Sequence, residues 1–218
     1  MKKVSLIVSA VVMTAMMLSF SGSGASTEEV TIGKQVWMTK NLNVDKFRNG
    51  DPIPEAKTVE EWVEAGRNKQ PAWCYYNNNP DNGDRYGKLY NWYAVNDPRG
   101  LAPKGWKIPS SGDWSLLIDF LSGESVAGKK MKSNSGWEKD GNGTNESGFS
   151  GLPGGARGYD GTSRSWAFGY VGEYGYWWSS TEFSTSNAWA RYLDYGNGNV
   201  KEFQYSKVGG TSVRCLRD

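Results

Sequence analysis

The sequence contains no histidine among its 218 residues. Imidazole supplies the base in Ser-His-Asp and Cys-His systems and a ligand in HExxH zinc sites, so these kinds of catalytic site are excluded. Cys74 and Cys215 are the only cysteines, and without a CxxC motif they form neither an iron–sulfur nor a cysteine-zinc cluster. We therefore expect a protein that is not an enzyme.

Basic runs are also absent, and the one long apolar stretch lies at the N-terminus. Lys2 and Lys3 precede the mostly apolar residues 4–20, and small residues follow. This order is typical of a secretory signal peptide, and Ser23 with Ala25 predicts cleavage after Ala25. An uncleaved membrane anchor is the alternative, but serine and threonine interrupt a stretch that is already short for a bilayer.

The remaining residues, 26–218, are expected to form one domain in the periplasm, on the cell surface or outside the cell. The signal peptide, residues 1–25, carries two of the 25 basic residues and none of the 23 acidic ones, so the mature domain has 23 of each. A neutral chain without a basic run lacks the electrostatic footprint of nucleic-acid binding. We also expect no membrane insertion after cleavage.

Glycine and aromatic residues are what the chain has in abundance, with 28 Gly, 11 Trp and 12 Tyr. An aromatic side chain buries about 150–250 Å², so we expect a core built largely of rings. Glycine suits tight turns and close backbone approaches rather than helices. The composition therefore argues against an all-helical bundle.

Two short helices are predicted from caps and spacing. Thr58 and Glu61 have the spacing of a capping box that opens the first helix. The second helix follows Pro109, with Ser110 or the next serine as its cap and apolar residues at helical spacing behind it. Gly123 ends this helix, and the stretch after it reads as a helix C-cap and a loop.

Strands are predicted near both ends of the mature chain. Residues 29–42 alternate as a strand or hairpin with Gly33 at the turn. Residues 77–87 read as a polar loop, and residues 132–176, rich in Gly, Asn and Ser, read as long ordered loops. Late strands are predicted at residues 176–181, 188–195, 199–205 and 211–216. These patterns predict an α+β domain with two short helices, antiparallel strands and long ordered loops.

One loop places oxygen-bearing side chains at alternate positions, as calcium-binding loops do. The four candidates are Asp140, Asn142, Thr144 and Glu146. The distal bidentate glutamate of an EF-hand is missing, and such residues also form turns through hydrogen bonds to the backbone. We therefore expect no cofactor and keep calcium at this loop as the alternative.

Eight aromatic residues crowd into the twenty positions from Tyr159 to Trp178. Alternation along a strand cannot bury both Trp177 and Trp178 on one face. An excess of rings in loops favours a flat stacking surface of the kind that recognises sugars or peptides. Packing within the core is the alternative use of these rings.

Seven motifs stand in order along the mature chain. They are IGKQVWMTKNL (32–42), YGKLYNWYAV (86–95), GWKIP (105–109), NESGF (145–149), LPGG (152–155), WWSST (177–181) and SVRCL (212–216). Together they resemble the Fibrobacter succinogenes major paralogous domain, a family of exported proteins of Bacteroidetes and relatives. The resemblance spans essentially the whole mature chain.

The resemblance implies a C-type-lectin-like fold, because that family is similar to a branch of it. It does not imply sugar binding, since this fold hosts protein, glycan and ice ligands alike. The Glu-Pro-Asn or Gln-Pro-Asp and Trp-Asn-Asp triplets of calcium-dependent lectins are absent. The paired active-site cysteines of the related formylglycine-generating enzymes are absent too. Neither activity is carried over to this chain.

The chain departs from the family at one cysteine. Members often contain Cys-Pro-x-Gly-Trp, whose cysteine is the natural partner of the cysteine near the end of the domain, and here Ala102 stands at that position. Two cysteines in an oxidising compartment often pair. Either Cys74 forms a disulfide with Cys215, or Cys215 is buried and free.

These observations predict an exported, non-enzymatic recognition module for a glycan or a cell-surface protein. Its rings would stack on the ligand, and Arg191 with Asp194 would supply directional hydrogen bonds. A structural or assembly subunit of a surface complex is the second hypothesis, and an enzyme with paired carboxylates is the third. The expected ligand-binding residues are Tyr159, Arg164, Trp166, Tyr170, Asn187, Arg191, Tyr192, Asp194 and Asn197.

Overall fold

The computed structural model describes residues 28–159 and 166–218, with the side chains of Tyr159 and Trp166 excepted. The predicted signal peptide and Arg164 lie outside the described residues. The strands are β1 (Glu29–Ile32), β2 (Gln35–Met38), β3 (Trp73–Cys74), β4 (Leu89–Tyr90), β5 (Trp106–Lys107), β6 (Gly154–Tyr159), β7 (Trp166–Val171), β8 (Tyr174–Glu182), β9 (Asn187–Asp194), β10 (Lys201–Ser206) and β11 (Leu216–Arg217). The α-helices are α1 (Val59–Arg67), α2 (Asp81–Tyr86), α3 (Trp92–Val95), α4 (Ser111–Phe120) and α5 (Glu124–Met131).

The strands form three sheets. A four-stranded sheet has the order β1-β2-β11-β5, and a five-stranded sheet has the order β10-β9-β8-β6-β7. The short strands β3 and β4 pair separately. Within the five-stranded sheet β6 and β8 are parallel, whereas the other neighbours are antiparallel. The α+β class is confirmed, and the predicted β1–β2 hairpin is present.

Both predicted helices are present with the caps that the sequence predicts. The Thr58 hydroxyl accepts a hydrogen bond from the Glu61 amide (3.1 Å), and the Glu61 carboxylate accepts one from the Thr58 amide (2.9 Å). Ser110 and Asp113 form the same reciprocal pair at the start of α4. Each box satisfies two amides that a helix N-terminus leaves unpaired.

The prediction of only two helices was wrong. The described residues contain five, because α2 lies in the predicted polar loop, α3 follows β4, and α5 begins directly after Gly123. Gly123 has a φ of 90°, so the chain turns sharply there and starts α5 instead of continuing into a loop.

The predicted long loop over residues 132–176 was also wrong in part, because β6 and β7 form a hairpin within it. Glycine and alanine dominate this hairpin and give no strand signal. Arg157 in β6 pairs across the hairpin with Phe168 in β7. The guanidinium carbon of Arg157 lies 4.7 Å from the centre of the Trp62 ring, and this contact anchors the hairpin to α1.

Strand β8 separates two hydrophobic clusters of the core. Trp177 packs into a cluster with Phe149, and its indole donates to the Asn41 side chain (2.8 Å). Trp178 packs on the other side of the sheet, and its indole donates to the Tyr90 carbonyl (2.8 Å). Consecutive strand residues point to opposite faces, so the sheet is covered on both faces at this point.

Buried cations recur in the core. Five of them, less than 5% exposed, lie over aromatic rings at 4.3–5.1 Å and donate hydrogen bonds to backbone carbonyls. They are Lys88, Lys132, Arg157, Lys207 and Arg214. Their long stems cover apolar surface while the charged ends pair with carbonyls and ring faces.

The two thiols are free and buried. Cys74 packs with Trp62 and Leu89 in one cluster, and Cys215 packs with Trp106 in another. The structure therefore has the second of the two arrangements left open by the sequence, with Cys215 buried and unpaired. Burial raises the pKa of each thiol to about 12, so both remain protonated.

Over residues 28–159 and 166–218, no helix has the length and apolar character needed to span a bilayer.

Candidate ligand-binding cleft

One face of the five-stranded sheet carries a cleft of about 330 Å³. We call it the aromatic cleft, and it is lined by Ala156, Gly158, Ala167, Phe168, Gly169, Tyr170, Tyr176, Phe203 and Tyr205. This volume lies at the small end of the range for ligand pockets, about 300–1,000 Å³. Over the described part of the chain, no charged side chain lines the cleft.

The floor of the cleft comes from small residues on the β6–β7 hairpin. Ala156 pairs with Gly169, and Gly158 pairs with Ala167, so these four residues share one face. A Cβ atom added at Gly169 would have no neighbour within 4 Å. The floor is therefore open above Gly169, and the small side chains create the space.

The walls are a continuous row of aromatic rings. Tyr174 and Tyr176 alternate along β8 and stack with centroids 5.5 Å apart and planes 8° apart. Phe203 on β10 lies 5.6 Å from Tyr176 and 5.4 Å from Tyr205. Tyr192 on β9 lies 5.9 Å from Tyr176 and bridges the strands between them. Edge-to-face and offset contacts of this kind stabilise aromatic pairs.

Tyr170 stands at the open end of the cleft. Its side chain is 55% exposed, and its ring lies 5.4 Å from that of Tyr174 and 6.3 Å from that of Tyr176. Its backbone has a φ of 69°, in the left-handed region that costs a non-glycine residue about 1–3 kcal/mol. Gly155, which stands opposite in the register of β6, has a φ of 65°. This kink sets the exposed ring against the row.

Two buried hydroxyl groups of the cleft, those of Tyr176 and Tyr205, are held in the neutral form. Burial raises the pKa of Tyr176 and of Tyr205 well above the ordinary value of tyrosine. Burial also raises the pKa of Tyr174 at the neighbouring end of the row. The Tyr205 hydroxyl donates a hydrogen bond to the Arg157 carbonyl (3.4 Å). The cleft therefore presents ring faces and protonated hydroxyls.

Two of the predicted ligand-binding residues lie in this region. Tyr170 lines the aromatic cleft, and Tyr192 belongs to the row of rings beside it. Tyr159 and Trp166 pair at the tip of the β6–β7 hairpin. Arg164 lies outside the described residues.

Arg191 and Asp194, which were expected to supply hydrogen bonds to one ligand, do not lie together. Three positions separate them on β9, so their side chains lie on opposite faces of the sheet. Arg191 is buried against Glu202 and the Ser111 carbonyl. Asp194 accepts hydrogen bonds from the Gly196 amide (2.8 Å) and from the Asn197 side chain (2.7 Å).

Asn197 and Asn187 also lie outside the cleft. Asn197 is exposed in the turn after β9, where it contacts Asp194 as described. Asn187 begins β9 and pairs with Ser206 on β10. Asn187 lies at the start of a strand and Asn197 lies in a turn, and neither lines the cleft with Tyr170.

The predicted calcium loop has a poor arrangement for a cation. The Asn142 side-chain oxygen accepts a hydrogen bond from the Trp137 amide (3.0 Å), and Glu146 faces Lys130 at 4.0 Å. Thr144 accepts a hydrogen bond from the Glu146 amide (3.4 Å). Asp140 lies in a depression that also contains two lysines, Lys129 and Lys132. Among the residues that the structure describes, no group of three acids, cysteines or histidines is placed to hold a metal ion.

Sequence reasoning missed most of the cleft. Its floor residues carry no polar or charged group, and Phe203 and Tyr205 read as ordinary strand residues. The signal was present in the alternation of aromatic residues on β8 and β10, which places Tyr174, Tyr176, Phe203 and Tyr205 on one face. Recognising it requires the order of strands in the sheet.

Comparison with known proteins gives one match. The profile of the Fibrobacter succinogenes major domain matches residues 30–217, which include every residue of the aromatic cleft. Neither the curated proteins nor the solved structures contain a match.

Proposed function

The chain belongs to the Fibrobacter succinogenes major domain family, and from its geometry we propose that it is a non-enzymatic recognition module that binds through the aromatic cleft. The ligand is a glycan or a surface protein. The proposal includes a C-type-lectin-like arrangement of the domain and export by the N-terminal signal peptide. It includes no cofactor.

The observation that carries the proposal is the exposed, strained Tyr170 at the mouth of a cleft that no charged side chain lines among the described residues. Burial normally removes tyrosine rings from water, yet this ring is 55% exposed beside a row of rings that are half buried. A left-handed backbone at a non-glycine residue persists only where the surrounding structure enforces it, and such strain clusters at binding sites. A ligand stacked on Tyr170 would bury the exposed ring face.

Two acidic residues of this sheet, Asp194 and Glu182, support a binding role rather than hydrolysis. Paired carboxylates are what a hydrolase of glycosidic bonds requires. Asp194 is engaged in its turn, as described, and Glu182 pairs with the buried Lys207. Both acids already serve the fold.

The test fills the cleft without disturbing its surroundings. Gly169→Leu places a side chain over the open floor, and the backbone at Gly169 is not left-handed. Gly112→Leu is the matched control, because Gly112 is exposed on α4 and an added Cβ would meet only the Ser110 hydroxyl at 3.7 Å.

The purified protein and both variants are screened against a glycan array and a peptide array, with calcium and then with a chelator. We expect at least one class of ligand to bind the wild-type protein and the Gly112→Leu variant but not Gly169→Leu. Binding that survives in Gly169→Leu, or no binding in either class, contradicts the proposal. Loss of binding with the chelator alone would support calcium at Asp140.

A second candidate is an assembly subunit, and one surface favours it. Leu116 and Phe120 on α4 are 63% and 62% exposed and border a groove beside the β1–β2 hairpin. Exposed apolar patches mark contact surfaces in many proteins. A second copy of the chain at this groove predicts a dimer by light scattering that Phe120→Asp dissociates. A monomer at all concentrations contradicts this candidate.

A further inference from the structure

The chemistry of the aromatic cleft narrows the class of ligand. The side-chain polar groups that line it in the described residues are the hydroxyls of Tyr170, Tyr176 and Tyr205. A cleft without charged lining offers nothing to balance a charged ligand, and moving a charge out of water without a partner is strongly unfavourable. The ligand that fits is neutral.

A sugar fits this lining poorly. Each sugar hydroxyl both donates and accepts hydrogen bonds, and a buried group left unpaired costs about 1–3 kcal/mol. Carboxylates and side-chain amides, with several acceptor sites each, are suited to pair with many hydroxyls at once. The lining contains neither group, so a buried pyranose ring would leave several hydroxyls without partners.

A proline-rich segment fits it well. Proline has no backbone N–H, so a run of prolines presents carbonyl acceptors and apolar rings and no donor that needs a partner. Protonated tyrosine hydroxyls supply the matching donors, and tyrosine faces supply the stacking surface. Grooves lined by aromatic residues recognise the polyproline II helix in this way, and its preformed shape reduces the entropy lost on binding.

The spacing of the rings is compatible with that helix. The centroids of Tyr170 and Tyr176 lie 6.3 Å apart. Two residues of a polyproline II helix advance by about 6 Å, since the rise is about 3.1 Å per residue. Residues on one side of this helix recur about 9.3 Å apart, so two prolines that face rings 6.3 Å apart lie on two neighbouring edges of the helix.

We propose that the ligand of the aromatic cleft is a neutral, extended, proline-rich segment of a partner protein, held by the ring faces of Tyr170, Tyr176 and Tyr205 and by the hydroxyls of Tyr170 and Tyr176. This inference rests on the proposed function, because it specifies the ligand of the same site. It predicts binding that depends on ring faces and hydroxyl donors, with little effect of salt because no charged side chain of residues 28–159 and 166–218 lines the cleft.

The experiment titrates decaproline into the purified protein by calorimetry, in parallel with maltohexaose and cellohexaose as neutral oligosaccharides. We expect decaproline to bind and the oligosaccharides not to bind. Tyr170→Ala and Gly169→Leu should each weaken binding by about tenfold or more, and Gly112→Leu should leave it unchanged. Raising the salt from about 50 to about 500 mM should change the affinity less than about twofold.

The variant Tyr176→Phe tests the contribution of the hydroxyl to binding separately from that of the ring. It keeps the stacking surface and removes one donor, so we expect about fivefold weaker binding from the loss of a single neutral hydrogen bond. Unchanged affinity in Tyr176→Phe contradicts the hydroxyl part of the inference.

The outcomes distinguish this inference from the proposed function. An oligosaccharide that binds the wild-type protein but not Gly169→Leu supports the cleft as a site and overturns the proline-rich ligand. Decaproline that fails to bind at about millimolar concentration overturns it as well. If none of these three probes binds but a ligand from the arrays binds the wild-type protein and not Gly169→Leu, the inference is overturned and the proposed function stands.

Discussion

The hydroxyl of Tyr205 on β10 lies over Gly158 on β6, so close that a Cβ atom on Gly158 would come within 2.2 Å of it. Two other strands separate β10 from β6 in the order of the sheet. Contact between them therefore means that the sheet curls until its edge strand closes over the hairpin. This curl forms the closed end of the aromatic cleft.

We predict that Gly158→Ala destabilises the fold by about 1–3 kcal/mol, because the added methyl group and the Tyr205 hydroxyl cannot occupy the same space. The control is Gly169→Ala in the paired strand, where the methyl group meets no neighbour. That variant should change the free energy of unfolding by less than about 1 kcal/mol. Urea denaturation of both proteins measures the difference.

The same clash can be relieved from the other side. The next atom of Tyr205 lies 3.4 Å from the added Cβ position, at the edge of ordinary contact. Combining Gly158→Ala with Tyr205→Phe should therefore recover most of the lost stability. A double variant that is as unstable as the sum of the two single variants would contradict this contact.

Arg214 should be far more important for stability than Arg217. The Arg214 guanidinium is buried and donates hydrogen bonds to the Met38 and Phe149 carbonyls and to the Asn41 side chain. Arg214→Met removes these hydrogen bonds from a buried site, so we expect a loss of about 3–5 kcal/mol in the free energy of unfolding.

The matched control is Arg217→Met, three positions along the same segment. Arg217 is exposed and pairs with Glu29 at the surface, where an ion pair contributes less than about 1 kcal/mol. Chemical denaturation of both variants gives the comparison. Equal losses would show that burial of the Arg214 charge is not what stabilises the domain.

Both thiols should be unreactive in the folded protein. Cys74 and Cys215 are 0% exposed, and burial keeps them protonated. Since the thiolate is the reactive form, Ellman's reagent should label neither thiol until the protein unfolds, and then both. Rapid labelling of one thiol under native conditions would contradict the burial of that cysteine.

The thiols also predict alkaline destabilisation. Folding raises the pKa of Cys74 and Cys215 from 9.0 to about 12, so their contribution is complete below about pH 9 and is lost as the pH rises towards 12. The two thiols together should therefore make the free energy of unfolding about 3 kcal/mol lower at about pH 10 than at about pH 8.

The control for this effect is the double variant Cys74→Ala with Cys215→Ala. It should lose little stability between about pH 8 and pH 10 in urea titrations. Buried tyrosines with raised pKa values, such as Tyr90, add to the loss in both proteins above about pH 10. Equal slopes below pH 10 would contradict the role of the thiols.

The parts of the fold that the sequence predicts are those fixed by neighbouring residues. Thr58 with Glu61 and Ser110 with Asp113 are close in the chain, so their caps follow from spacing alone. The β1–β2 hairpin follows in the same way from alternation around Gly33. The resemblance carried by the seven motifs identified the family, which the profile match at residues 30–217 confirms.

The parts that could not be predicted depend on strand order. Small residues in β6 and β7 carry no strand signal, because their role is to leave room for Tyr205 and Tyr176 from other strands. Arg191 and Asp194 carry the charges that would suit a polar ligand, but they lie on opposite faces of β9. Of the predicted ligand-binding side chains that the structure describes, Tyr170 lines the cleft, because a ring can stack at an exposed position without a partner from a distant strand.

The position of β11 has a consequence for the order of folding. Leu216 pairs with Trp37 on one side and with Lys107 on the other, so a strand made 179 positions after its first partner sits inside the four-stranded sheet. Contacts between distant positions form slowly because a long loop must close first. While the chain is being synthesised, β2 and β5 have no strand to join them, and the sheet is completed only when residue 216 arrives.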